Sequence, residues 1–218
     1  LSIGTKLIIP APKVTADTVN VVTPVPYDIT LRSPDCWISL TGGYHCYALA
    51  ENGEDADLGN LSAEITLTDP GSGEEFSQQV LLPLSLLSAG ERLPFYAYFA
   101  PPVVPNAVAA ARILSVTEAR QDDDGVFPLV IEIGEVSIPA DGASATINGT
   151  AALGVEGAEI SRVTLVAVAY DAAGRVIGMR RVSPELGWGS DQTFGFEITV
   201  YSTGGIVDRV EVSGEAGR

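Results

Sequence analysis

The chain has 218 residues, of which 46% are hydrophobic and 18% charged, and its 28 acidic side chains outnumber 12 basic ones for a formal net charge of −16. That composition supplies core for one large domain or two ordinary ones and is not that of a disordered chain. It disfavours nucleic acid, whose phosphates must be neutralised, and anionic membrane surfaces, and it leaves cations or a basic partner open. No apolar run approaches the ~20 residues of a membrane helix, and the longest candidate, NAVAAARILSV, is broken by Arg112. Leu1 is not a translation start, so whether a signal peptide or lipid anchor preceded it stays open.

Residues 1–26, LSIGTKLIIPAPKVTADTVNVVTPVP, are expected to form an extended arm. The arm is rich in Ile, Val and Thr, carries three charges and is cut by Pro10, Pro12, Pro24 and Pro26. A free linker is normally more polar. Each large aliphatic side chain, if fully buried, is worth roughly 1.5–3 kcal/mol, so Ile3, Leu7, Ile8, Ile9, Val19 and Val21 are the expected assembly contacts. Strand pairing is expected within residues 2–9 and 14–23, with breaks at the prolines. Such a strand either folds back on its own chain or adds to a second copy. A head-to-tail contact of the second kind builds a filament when it does not close.

CWISLTGGYHC, from Cys36 to Cys46, holds both cysteines, the one histidine and one of two tryptophans. The spacing fits no zinc or redox motif, which leaves two buried thiols or a disulfide. A two-residue turn at Gly42-Gly43 would set Cys46 opposite Ser39 and turn Cys36 to the other face, forbidding the bond. A disulfide therefore requires a wider loop, about Ser39 to Gly43, with Cys36 opposite Cys46, or else a bond between strands of different sheets. The bonded form is the expectation, and it implies an exported chain.

Strand signals recur along the rest of the chain at spacings near ten residues, and helix signals are almost absent. Leu61, Ala63, Ile65 and Leu67 alternate with Ser62, Glu64, Thr66 and Thr68, a strand with one buried and one wet face, and Asp69-Pro70-Gly71-Ser72-Gly73 turns the chain. Val163, Leu165, Ala167 and Ala169 alternate with Thr164, Val166, Val168 and Tyr170 before the turn Asp171-Ala172-Ala173-Gly174. GERLPF, Gly90 to Phe95, matches GSDQTF, Gly189 to Phe194, and ARILSV, Ala111 to Val116, resembles DRVEVS, Asp208 to Ser213. These anchors in the same order imply a repeat of about 100 residues. The expected organisation is all-β: the arm at 1–26, one β-sandwich at 27–116, an acidic linker at 117–127 and a second sandwich at 128–218.

The stretch from Asn148 to Ile198, with INGTAAL, then V-x-L-x-A-x-A-Y-D, then G-S-D-Q-T-F, resembles the FxLYD-type immunoglobulin-like domain of bacterial exported proteins and lipoproteins. Leu67-Thr68-Asp69 stands where that family has Leu-Tyr-Asp, with a longer turn after it. The resemblance covers about residues 27–116 and 128–214. It implies two tandem immunoglobulin-like sandwiches and an exported, non-enzymatic module, and it carries over no binding site.

Searching for chemistry yields little. His45 is the one candidate for a triad base, and no G-x-S-x-G elbow accompanies it, so no catalytic residue is assigned. No nucleotide-binding glycine motif occurs, and no cofactor is implied. Asp122, Asp123 and Asp124 are weak metal candidates, because contiguous aspartates cannot all point inward as a calcium loop requires; ENGEDAD, Glu51 to Asp57, is a second acidic turn. Tyr44, Tyr47, Tyr96, Tyr98, Trp37 and Trp188 supply either core aromatics or a sugar-stacking platform. Asn60-Leu61-Ser62 and Asn148-Gly149-Thr150 match the N-glycosylation pattern, idle in a bacterial chain.

The expected function is a non-catalytic structural or interaction module of a bacterial cell surface, outside the cell. Its expected partner is protein, copies of itself included, through the arm. The alternative is an extracellular module binding carbohydrate or calcium. Because Asp122 to Asp124 lack the spacing of a closed site, millimolar calcium is expected to leave the thermal unfolding midpoint where chelator leaves it; a shift of many degrees would assign them a bound cation.

Overall fold

A computed structural model of the chain describes residues 27–103, 105–119, 125–154, 160–184 and 193–218. The arm with Ile3, Leu7, Ile8, Ile9, Val19 and Val21, the aspartates 122–124 and Trp188 lie outside the described residues. The described residues are all-β and contain no helix.

The first half consists of β1 (Ile29–Leu31), β2 (Asp35–Ile38), β3 (Tyr44–Asn52), β4 (Leu58–Thr68), β5 (Glu75–Leu81), β6 (Leu86–Leu87), β7 (Arg92–Phe99) and β8 (Val108–Glu118). β3 is central to one antiparallel sheet, with β1 and β2 on one side and β7 on the other. β4 is central to the second, between β5 with β6 and β8. The two sheets form a β-sandwich. Leu61, Ala63, Ile65 and Leu67 enter its core, as their alternation requires, while Ser62, Glu64 and Thr66 turn outward to Ser115, Arg112 and Ser77. The Asp69 carboxylate closes the following turn by accepting from Gly71 N and Ser72 Oγ.

The second half repeats this wiring with β9 (Val126–Ser137), β10 (Ser144–Leu153), β11 (Arg162–Tyr170), β12 (Val176–Val182), β13 (Thr193–Tyr201) and β14 (Arg209–Gly217). β11 pairs with β12 and β14 as β4 pairs with β5 and β8, and β10 pairs with β9 and β13 as β3 pairs with β1–β2 and β7. The quoted repeat anchors fall on matching strands: ARILSV lies in β8 and RVEVS in β14, while each Phe belongs to β7 or β13. The Asp171 carboxylate holds its turn through Ala173 N, Arg175 N and the Arg175 guanidinium. One feature is added in this half: Val126 to Pro128 of β9 also pair with β14, so the six strands form one continuous curved sheet.

Cys36 and Cys46 are joined in a disulfide. They are directly opposed across β2 and β3, with Cα atoms 4.1 Å apart. The wider loop makes this possible: Ser39 N donates to Gly43 O and Gly42 N to Ser39 O, and Gly42 adopts φ +84°. A disulfide is characteristic of an oxidising, non-cytoplasmic compartment.

The two halves are packed together. β11 is buried on both faces: Val163, Leu165, Ala167 and Ala169 fill the core of the second half, while Val166, Val168 and Tyr170 belong to the core cluster of the first. β3 answers with Tyr47 and Leu49, both buried. At one end of the junction Trp37 Nε1 donates to Val176 O at 2.8 Å, the Arg175 guanidinium lies 4.7 Å from the Trp37 ring centroid, and the indole rests on Gly204, where an added Cβ would stand 2.3 Å from a ring carbon. At the other end the buried Glu215 carboxylate accepts from Ser85 N at 2.7 Å, Leu86 N at 3.1 Å and Ser85 Oγ at 3.0 Å. Between them Arg92 forms a two-pronged pair with Glu211, which also pairs with Arg209. Burial pushes the Glu211 carboxyl up, but the hydrogen bonds and charge of Arg92 and the charge of Arg209 leave it below its usual value.

Replacing both cysteines by alanine is expected to lower stability by about 2–3 kcal/mol, because the bond closes a short loop in the unfolded chain; equilibrium denaturation measures it. Arg92→Met is expected to lower stability by about 1 kcal/mol at neutral pH, the Glu211 pair being partly solvated. A depressed carboxyl contributes stability above its unfolded pKa and loses it as pH falls through the folded one. The difference between wild type and variant should therefore shrink as pH falls below the ordinary value of 4.5. A pH-independent difference in denaturation midpoint would show that Glu211 is not its source.

Candidate functional site

Two surface features stand out, one at the junction and one on the second half. The first is a cleft of about 300 Å³ between the halves, lined by His45, Tyr47, Tyr96, Met179, Arg180, Tyr201 and Thr203. Strand register assembles its first wall. His45 opposes Tyr98 and Tyr47 opposes Tyr96 across β3 and β7, so the four rings share the outer face of one sheet. The His45 and Tyr96 rings are stacked with planes 19° apart, and Nδ1 and the phenol oxygen are 2.9 Å apart in a hydrogen bond. The Tyr98 ring lies 4.9 Å from His45, and the Tyr47 and Tyr96 centroids are 5.2 Å apart. Burial lowers the His45 pKa below its ordinary 6.5, so the imidazole is mainly neutral at physiological pH. Burial pushes the Tyr47 phenol up to about 12, and its oxygen lies 3.3 Å from Thr203 Oγ1 in a hydrogen bond.

The second half supplies the other wall. Met179 and Arg180 come from β12 and Tyr201 from the end of β13, where its side chain is 61% exposed. Arg180 Nη1 donates to Thr199 O at 3.3 Å, which holds the guanidinium across the seam between β12 and β13. Arg32, Arg92, Arg112, Arg175 and Arg209 all reach a carboxylate; among the described residues none stands within ion-pair distance of Arg180.

The second feature is the open side of β9. Beyond Pro128 this strand leaves β14 and, among the described residues, pairs only with β10. Ile131 opposes Ala151, Ile133 opposes Gly149 and Val136 opposes Ile147. Ala151 and Ile147 are fully buried core residues, so these three β9 side chains point to the core side of the sheet. A bulge at Gly134 and Glu135 keeps Ile133 and Val136 on that same face. Yet Ile133 is 42% and Val136 40% exposed, and Ile138 beyond the strand is 37% exposed. The gap opens as a cleft of about 580 Å³, with Leu129 and Ile131 on one side and Val212 and Gly214 on the other. Asp57, Ser88 and Glu91 of the first half stand at its mouth.

The chain matches no family model and no curated protein.

The other residues singled out in the sequence have the following places. Tyr44 is buried in the core and Trp37 half-buried in the junction, so the five described aromatics of the six do not form one row. Tyr47, Tyr96 and Tyr98 do come together, with His45 among them. ENGEDAD is organised around the buried Asn52, whose amide donates to Ala56 O, Leu87 O and Ser88 O. Among the described residues no three His, Cys, Asp or Glu side chains converge as a metal site. Asn60 donates its side-chain amide to Thr117 Oγ1. Sequence reasoning missed Met179, Arg180, Tyr201 and Thr203 and the whole open side of β9. The signals were present: RVIGMRRV sets two arginines on a strand without an acidic neighbour, and VFPLVIEIGEVSIP is more aliphatic than one buried face requires.

Proposed function

We propose that this chain is a non-catalytic, exported structural or interaction module of a bacterial cell surface. The arm of one copy adds as a β-strand to the open side of β9 in the next, and repeated head-to-tail addition makes an extracellular filament. The observation that carries this reading is the uncovered face of Ile131, Ile133 and Val136 beside an edge with no strand partner among the described residues. An edge of this kind is ordinarily blunted by charge, proline or a covering segment, because it templates pairing with another chain. Residues 14–23 have the composition to cover it, with Val19 and Val21 alternating as a strand requires. The disulfide supports export, as does the resemblance to FxLYD-type domains. The non-catalytic reading is supported by the chemistry of the one histidine: its Nδ1 is engaged by a phenol, and the neighbouring Cys46 sulfur is bonded and is not a thiolate.

A second reading, an extracellular carbohydrate-binding module, is favoured by the aromatic cleft.

Two variants test strand addition: deletion of residues 1–23, and Ile133→Lys with Val136→Lys. The full chain is expected to associate in light scattering and electron microscopy, and each variant is expected to remain folded and monomeric. A monomeric full chain that loses stability in both variants would mean that the arm pairs within its own chain. Unchanged association and stability in both would overturn the reading.

A further inference from the structure

We propose that the cleft between β3–β7 and β12–β13 binds an acidic pyranose, a uronate-type sugar whose ring lies against Tyr96 and Tyr201 and whose carboxylate pairs with Arg180. The site is separate from the open side of β9 and does not depend on strand addition.

Its walls have the chemistry of sugar recognition. The axial C–H groups of a pyranose make an apolar face that packs on aromatic rings, and its hydroxyls need convergent polar partners. Tyr96 and the exposed Tyr201 offer the rings, and Met179 lines the second wall with Arg180. The His45 imidazole, neutral at physiological pH and tied at Nδ1 to Tyr96, offers a polar ring edge, and the Thr203 hydroxyl stands on the floor. The walls come from different halves, yet the junction holds them in register: Thr203 Oγ1 also donates to Ile177 O, and Trp37 packs on Gly204 one residue further. The cleft is therefore largely pre-formed, which lowers the ordering cost of binding.

Arg180 selects the acidic sugar over the neutral one. In a protein of net charge −16, Arg180 has no carboxylate within ion-pair distance among the described residues. Its planar fork matches a carboxylate, and the Thr199 carbonyl keeps it over the cleft. The same negative field repels multiply charged anions such as phosphate dianions or polyphosphates, so one carboxylate on an otherwise neutral ring is the best electrostatic match.

The test is titration by calorimetry and NMR with the methyl glycosides of galacturonate, glucuronate and mannuronate, each a single sugar ring with one carboxylate, beside its methyl ester. Saturable binding of an acid form is expected, with the ester weaker by about tenfold, the range of one charge-assisted contact. Arg180→Ala should abolish the difference between acid and ester, and Tyr201→Ala should weaken both by about tenfold. Both side chains are exposed, so the thermal midpoint is expected to hold in both variants. Absence of binding by all three acids would overturn the proposal. Equal affinity for acid and ester would also overturn it, as would full binding by Arg180→Ala.

Discussion

The burial of both faces of β11 is the constraint on which the rest depends. A strand in an ordinary sandwich has one wet face, as β4 does with Ser62, Glu64 and Thr66. β11 instead carries Val166, Val168 and Tyr170 on its second face, and that face packs into the core of the first half. Left in water, those side chains would each cost roughly 1.5–3 kcal/mol relative to burial. The halves thus form one body around β3 and β11, each strand buried from both sides and correspondingly apolar along its length.

Packing by apolar faces alone is not specific, and the junction is pinned by polar groups at its margins. Glu215 accepts from two backbone N–H groups and a hydroxyl, so a buried carboxylate is held by neutral donors. Glu211 is held by two guanidiniums, with Arg209 also over the Tyr170 ring at 4.0 Å. These contacts set the rotation of one half on the other, because only one orientation serves Glu215, Glu211 and the Trp37 indole together. The aromatic cleft follows from that orientation: its two walls belong to different halves.

The two surface features answer different physical questions. The open side of β9 is apolar where a sandwich is normally closed, which calls for a covering segment. The cleft beside Arg180 is aromatic and locally cationic on an acidic molecule, which calls for a small anion with an apolar face. Where the first half joins Cys36 to Cys46 across β2 and β3, the second opposes Val136 to Ile147 across β9 and β10. The disulfide is thus a staple peculiar to one copy of the repeat.

Much of the fold was legible in the sequence. Period-two alternation marked β4 and β11, aspartate-led turns marked the hairpins after both, and the spaced Gly-to-Phe anchors marked the repeat, because strand period and turn chemistry are local properties. Register logic also named a loop from Ser39 to Gly43 as one of two arrangements a Cys36–Cys46 bond allows, and it is the one found. The second apolar face of β11 was visible as Val166, Val168 and Tyr170, but local pattern does not say what covers a face. That it meets β3 of the other half, that Glu215 reaches Ser85 across 130 positions of chain, and that Arg180 arrives beside His45 were decided only by tertiary structure. The reason is physical: alternation encodes which side of a strand avoids water, whereas the choice of partner depends on shape and hydrogen-bonding complementarity between surfaces distant in the chain.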